Sequence, residues 1–341
     1  LSNWTLTAQP APQLLVLPAG AERLDEAHAA IELWEFYSGK SLDPTQRLAV
    51  EVMMACTVDG SWAAMTTGRE MPRQNGKGDE IEVPEFWGLI KLHEAILHTV
   101  HDAVLLATQA QERMLALFDH RDLRHLTEGG QIWRGTGQQM IKLSTGGQIW
   151  YRTRTGGGGR GVDKIDRLVV DEAQHATVEQ LSANSSTLMA ADDPQLNALG
   201  TSGLDGKSSW WWTIRKRALA VDPGSFGYIG HTAEKVWLDE SGKVKQEAPD
   251  IEDREVWRTV NPAIHAGRGQ GMAFLEEELW RLGPVAFGQE HLGIWAPEPG
   301  ESGGGPIDLK RWSSKIEDGG LVDKDSKPDA EAMQGRDRHE P

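Results

Sequence analysis

The chain has 341 residues, 39% of them hydrophobic, which is ample for the core of one large or two modest domains. A formal charge of −16 argues against nucleic-acid binding by bulk charge, although a local basic groove fits on an acidic surface. The single cysteine, Cys56, excludes an intramolecular disulfide framework and fits a reducing cytoplasm; no apolar run of about eighteen residues and no basic-then-apolar start points to a membrane span or a secretory signal.

Residues 1–40 read as a leader followed by an outer helix. Pro10, Pro12 and Pro18 break up the first twenty positions, and residues 25–37 carry apolar side chains at helical spacing up to Gly39. In SLDPTQRLAVEVMMACTV, Asp43 or Ser41 caps a second helix with Pro44 in its first turn. Gln46 lies early on that helix. A side-chain amide there suits the edge of an adenine, donating to N7 and accepting from the exocyclic amine, and equally suits an exposed helix surface. Cys56, inside VMMACTV, reads as a core residue.

The stretch at 71–78, MPRQNGKG, is a glycine–lysine turn. The backbone N–H groups of Arg73, Gln74, Asn75, Gly76, Lys77 and Gly78 suit the cradling of phosphates, with the Lys77 ammonium reaching the outer ones. The common pattern is G-x-x-x-x-G-K-[ST]. Here Met71 holds the first glycine position and Gly78 the hydroxyl position, so an expected Mg²⁺ ligand is missing. The plain alternative is a polar turn after a strand, since N-G is a turn signal by itself. WAAMTT at 62–67 is the candidate strand feeding the loop, and EIEVPEFWGLIKLHEAIL after it the candidate helix. Asp79, Glu80 and Glu82 put negative charge close by. DAVLLAT at 102–108 reads as the next buried strand, turning into a helix over 108–120. Residues 140–143 and 148–152 read as a hairpin joined at Thr145-Gly146-Gly147.

Four consecutive glycines in TRTGGGGRG, 153–161, mark a loop that ends in Arg160. An arginine on a loop beside an ATP site suits charge donation to the γ-phosphate, in cis or into a neighbouring subunit; a solvated arginine is the bland reading. Leu168-Val169-Val170 then runs into paired carboxylates, Asp171 and Glu172. In an ATPase one such acid holds Mg²⁺ and the other orients or deprotonates the attacking water. The loop and the acid pair, in this order, point to a P-loop NTPase: an α/β fold with a mainly parallel central sheet flanked by helices. The predicted organisation is an ATPase core over 41–230, a small lid or linker subdomain over 231–297, and a flexible tail over 298–341.

PRQNGK before a helix, RGVDKIDRLVVDEAQHA, and the later NALGTSG and FGQEHLGIW together resemble the large subunit of a tailed-bacteriophage terminase, over most of residues 40–297. The resemblance implies an ATP- and Mg²⁺-dependent motor that pumps double-stranded DNA into a procapsid, as a ring of subunits at the portal protein, with a terminase small subunit as partner, in the host cytoplasm. It implies that Lys77 is the phosphate lysine, Asp171 the Mg²⁺-associated acid, Glu172 the catalytic glutamate, Gln46 the adenine reader and Arg160 a trans-acting finger. Thr201 and Ser202 of QLNALGTSG fit the coupling motif, where small hydroxyls sense the γ-phosphate; a simple turn is the alternative. Residues 298–341 have disordered-tail composition and carry no strand with metal-binding acids, so no DNA cleavage is expected from the chain. Two other readings stay open: a non-hydrolysing assembly scaffold for a separate nuclease, favoured by Gly78, and a helicase-like ATPase.

Overall fold

A computed structural model describes residues 4–101, 104–135, 139–154, 164–204, 208–220, 224–269 and 271–298. Strand β1 (Leu14–Val16) precedes helices α1 (Asp25–Ser38) and α2 (Pro44–Met54). Strand β2 (Thr66–Glu70) leads through the glycine–lysine loop into α3 (Lys77–Trp87), which runs on as a π-turn over Gly88–Leu92. There follow β3 (Ala95–Val100), α4 (Val104–Phe118), α5 (Arg124–Glu128), β4 (Gln131–Trp133), β5 (Met140–Lys142) and β6 (Gln148–Thr153). Then come β7 (Arg167–Val170), α6 (Val178–Leu188), β8 (Gln195–Gly200), α7 (Ser209–Ala218) and β9 (Phe226–Gly230). A ribbon of β10 (Lys235–Leu238) and β11 (Val244–Glu247) precedes α8 (Arg254–Val260), α9 (Pro262–His265) and α10 (Gly271–Leu292).

Among the described residues the main sheet holds nine strands in the order β1-β9-β2-β8-β7-β3-β6-β5-β4. Every neighbouring pair from β9 to β6 is parallel, while β1, β5 and β4 add antiparallel edges. This is the expected α/β class. Successive strand residues point to opposite faces. Val169, Leu199 and Ile229 meet the core built with α1 to α4, and Leu168, Val170, Ala198 and Tyr228 meet the core on the α7 side. A third core joins α8 and α10 through Trp257, Leu275, Leu279 and Phe287.

Several elements lie where the sequence puts them. Gly39 ends α1 in the left-handed conformation at φ 67°. Asp43 caps α2 in a capping box with Gln46, and Pro44 opens the helix. The 140–152 hairpin is β5–β6, and Cys56 is buried.

Three boundaries differ. The strand before the glycine–lysine loop is not 62–67 but Thr66–Glu70. Its sequence, TTGRE, has no apolar pattern because the polar groups are matched internally: Arg69 forks onto Glu80 at 2.7 and 2.9 Å. Gly68 is needed where the Tyr228 ring would lie 2.4 Å from a Cβ. The long helix predicted to follow the loop stops at Trp87, and its last residues become β3. DAVLLAT is accordingly not the next strand: Val104 begins α4, which buries Ala107, Ala110, Met114 and Leu117 at helical intervals.

A buried network fixes the end of β2. Glu70, its last residue, is fully buried and accepts from Tyr228 Oη at 2.5 Å and Trp295 Nε1 at 2.6 Å. Arg215 of α7 lies 3.4 Å from Glu70 and 2.5 Å from Glu234, and its guanidinium covers the Trp295 ring at 4.4 Å. Trp211 and Trp212 are buried in the same cluster, as packing residues.

Candidate nucleotide site

In the parallel part of the sheet, β2, β8 and β7 are consecutive, with Glu70 opposite Gly200 and Val170 opposite Ala198. Their C-terminal ends therefore deliver the glycine–lysine loop, Thr201 and the acid pair to one edge, the usual ligand side of such sheets. A cavity of about 310 Å³ opens there, lined by the loop residues 73–78 together with Arg113, Asp171, Glu172, Gln174 and Thr201. That volume is at the lower end of the range for small-molecule sites.

The loop is held from several sides. Gln74 and Gly76 take left-handed φ values of 60° and 97°. Met71 N donates to Gly200 O at 3.2 Å, tying the loop to the end of β8. Asn75 is buried; its Nδ2 donates to Asn261 Oδ1 at 2.9 Å and its Oδ1 accepts from Ala263 N at 3.0 Å. Arg73 N donates to Glu290 O at 3.0 Å, and the Arg73 side chain pairs with the Glu290 carboxylate. Lys77 Nζ donates to the carbonyls of Met71, 3.1 Å, and Pro72, 3.3 Å. Burial pushes the Lys77 ammonium down to about 8, opposed by the Asp171 carboxylate.

The acids around the loop are neutralised one by one. Glu80 pairs with Arg69, Glu82 with Arg113 at 2.7 Å, and Asp79 with Lys40 at 2.7 Å. Gln46 is buried behind the loop rather than exposed. Its Oε1 accepts from Asp43 N at 3.1 Å and its Nε2 donates to Gly76 O at 3.3 Å, so the structure gives it contact with the loop backbone.

Asp171 and Glu172 face the same cavity from the end of β7. Asp171 Oδ1 accepts from Glu172 N at 2.9 Å, and Glu172 takes a left-handed turn at φ 52°. Burial raises the Glu172 carboxyl above the usual carboxylate range, and the neighbouring Asp171 adds to the rise. Buried His98 lies behind Asp171 with Nε2 4.0 Å from Oδ2, and its Nδ1 meets Glu85 Oε1 at 2.6 Å. His175 stacks on His101 with ring centroids 4.4 Å apart.

One residue that sequence reading passed over is Arg154, just after β6. It is buried, and its Nη1 donates to Asp171 O at 2.7 Å and Thr99 O at 2.9 Å, its Nη2 to Glu172 O at 3.0 Å. Thus an arginine clamps the backbone of the acid pair. Its only sequence signal is a place before the glycine run, the same run whose far end, Arg160, lies outside the described residues. Gln174 completes the site: its Oε1 accepts from Thr201 N at 3.1 Å and so joins the acid turn to the β8 loop. Ser202 Oγ donates to Gln289 O at 2.9 Å.

Strand, phosphate-type loop and helix, with an acid pair on a nearby parallel strand, define a P-loop type of α/β domain. No family model matches the chain, and no curated protein matches its sequence. Among solved structures, the crystal structure of the HK97 bacteriophage large terminase is similar over 78% of this chain and 54% of that one, with a TM-score of 0.60 and 16% identity. A mutant form of the Thermus phage P74-26 large terminase ATPase domain is similar over 77% of this chain and 97% of that one, with a TM-score of 0.51 and 12% identity. The fold is thus the one found in the ATPase domains of phage large terminases. The chain spans about half the length of the HK97 protein it matches. Among the described residues no helix is long and apolar enough to cross a membrane.

Proposed function

We propose that the chain is the ATPase motor domain of a phage terminase large subunit, hydrolysing ATP to drive double-stranded DNA into a procapsid. The observation that carries this reading is the convergence of Lys77, Asp171, Glu172 and Thr201 on one cavity at the C-terminal edge of the parallel sheet. The donor set fits a nucleoside triphosphate: a loop with two left-handed residues, backbone N–H groups at a helix start, and an ammonium desolvated by burial. Asp171, together with phosphate oxygens, would hold Mg²⁺, which supplies charge neutralisation on the phosphates when bound.

Lys77 holds the outer phosphates, and Glu172 orients a water for in-line attack on the γ-phosphorus. The new P–O bond forms as the bond to the β-phosphate oxygen breaks, and the water proton passes to the Glu172 carboxylate. The raised proton affinity of Glu172 suits that role. Arg154 keeps the acid turn in place through its carbonyls, Gln46 supports the phosphate loop from behind, and Thr201 reports phosphate occupancy through Gln174. Arg160 from a neighbouring subunit completes the site in a ring at the portal, with the terminase small subunit delivering DNA in the host cytoplasm.

Steady-state ATPase activity of the chain and of Lys77→Ala and Glu172→Gln, with Mg²⁺ and at several protein concentrations, tests the reading. The expected result is activity that rises more than linearly with concentration and falls by about 100-fold or more in either variant, with circular dichroism unchanged. An equal background in all three proteins overturns hydrolysis and favours the non-hydrolysing scaffold, the reading to which Gly78 lends weight.

A further inference from the structure

The last position of the phosphate loop is Gly78, where the common pattern has a hydroxyl. The room that the missing side chain leaves is taken. A Cβ on Gly78 would lie 3.1 Å from Arg113 Nη2 and 3.3 Å from its Nη1 and Cζ, tighter than most packing contacts. Arg113 comes from the third turn of α4, a different element, and lines the same cavity as Lys77, Asp171 and Glu172. Its orientation is set by Glu82 of α3, whose Oε1 accepts from Arg113 Nε at 2.7 Å. Glu82 is buried, and Trp34 Nε1 donates to its other oxygen at 3.3 Å, so the carboxylate is itself anchored.

A guanidinium has five N–H donors in a planar fork that matches phosphate oxygens. Among the described residues Glu82 is the hydrogen-bonding partner of this one, through Nε, and the two Nη groups lie at the loop's final turn. We propose that Arg113 is a phosphate-binding residue of this nucleotide site, occupying from α4 the place vacated by the loop hydroxyl and supplying a fixed positive charge there. The proposal rests on the nucleotide-site reading above. It explains Gly78 as one half of an exchange: a serine or threonine Cβ there would press on the guanidinium, which would have to give by a few tenths of an ångström.

The test is direct binding of ATP, ADP and AMP to the full chain, by calorimetry, with Mg²⁺ and with EDTA. Arg113→Ala is expected to weaken ATP at least about 10-fold in both conditions, with a smaller loss for ADP and almost none for AMP, because a fork on phosphates is lost. Arg113→Lys keeps the charge and recovers part of the affinity. Gly78→Ser alone weakens ATP by displacing the guanidinium, and adds little to the loss when combined with Arg113→Ala. Because Arg113→Ala strands the Glu82 carboxylate, the pair Arg113→Ala/Glu82→Gln serves as the folding-safe form and gives the same ATP-over-AMP pattern. A wild-type chain that binds ATP while Arg113→Ala binds it equally well overturns the role of Arg113 alone, as does Gly78→Ser that tightens ATP with Arg113 present. A folded wild-type chain that binds none of the three nucleotides overturns the nucleotide reading and this proposal together.

Discussion

Arg215→Met probes how the strand that carries the glycine–lysine loop is held. Arg215 is fully buried between two buried carboxylates, Glu70 at 3.4 Å and Glu234 at 2.5 Å, and Glu70 is the residue immediately before Met71. Methionine retains much of the stem's packing and removes the shared cation. Stripping one partner from a buried ion pair costs about 3–5 kcal/mol, because the remaining charge stays desolvated. Here the carboxylates keep donors from Tyr228, Trp295 and Gln246, so the low end, about 3 kcal/mol, is expected. At a urea slope of about 3 kcal/mol/M the midpoint then falls by about 1 M, readable in tryptophan fluorescence. The deficit also depends on pH. Burial raises Glu70 and Glu234 above the ordinary carboxylate range, and Arg215 opposes the rise in both. Without it their folded-state values climb further, so the folded variant gains from protonating them. Its deficit is largest above those raised values and shrinks as pH falls toward the unfolded carboxylate value of about 4.3. A deficit below about 1 kcal/mol, or one equal at about pH 5 and pH 8, refutes the reasoning.

Two further outcomes follow from the titrating groups. Lys77 sits at about 8 in the free site, and bound phosphate favours its ammonium form; ATP binding is therefore coupled to proton uptake above that pH, and affinity falls as pH rises through it. Calorimetry in buffers of different ionisation enthalpy measures this, and equal heats in all buffers would contradict it. Burial pushes the Cys56 thiol up to about 11, so a thiol reagent labels the native chain only as fast as the fold opens; labelling at the rate of the unfolded chain would show the assignment to be wrong.

The class of fold was readable, and so were the two stretches that meet at the candidate site, because each rests on a local rule. A glycine–lysine turn needs left-handed backbone at Gly76, and an apolar strand such as β7 announces itself before its acids. The strand feeding the loop did not announce itself, because Arg69 and Glu70 are buried on partners 11 and more than a hundred positions away in the chain. The apolar run before Thr108 fits either period over four residues, and only the later spacing of Ala110, Met114 and Leu117 resolves it as a helix. Arg113 and Arg154 were invisible for another reason. Each reaches the candidate site through a contact made by topology, α4 over Gly78 and the end of β6 beside β7's acids, that no motif spacing encodes.

The same long-range contacts bear on how the site communicates with the rest of the chain. The glycine–lysine loop and the β8 loop are joined directly by Met71 N to Gly200 O, and each also rests on neighbouring residues of α10. Glu290 takes Arg73 from the first, and Gln289 takes Ser202 from the second. Gly203 lies against Trp295, where a Cβ would come within 2.3 Å of the ring, and Trp295 donates to Glu70 at the base of the phosphate loop. Helix α10 is interrupted just upstream, at Gly283 with φ 72° and ψ 171°, followed by Pro284. The turn that carries Gln289 and Glu290 is thus bonded to both loops and broken from the helix over 271–282. Packed cores shift between discrete arrangements rather than deform continuously. A joint displacement of the two loops with the turn at 289–290 is expected to be taken up at Gly283–Pro284, and hydrogen exchange over 271–282 that is unchanged by ATP would contradict this.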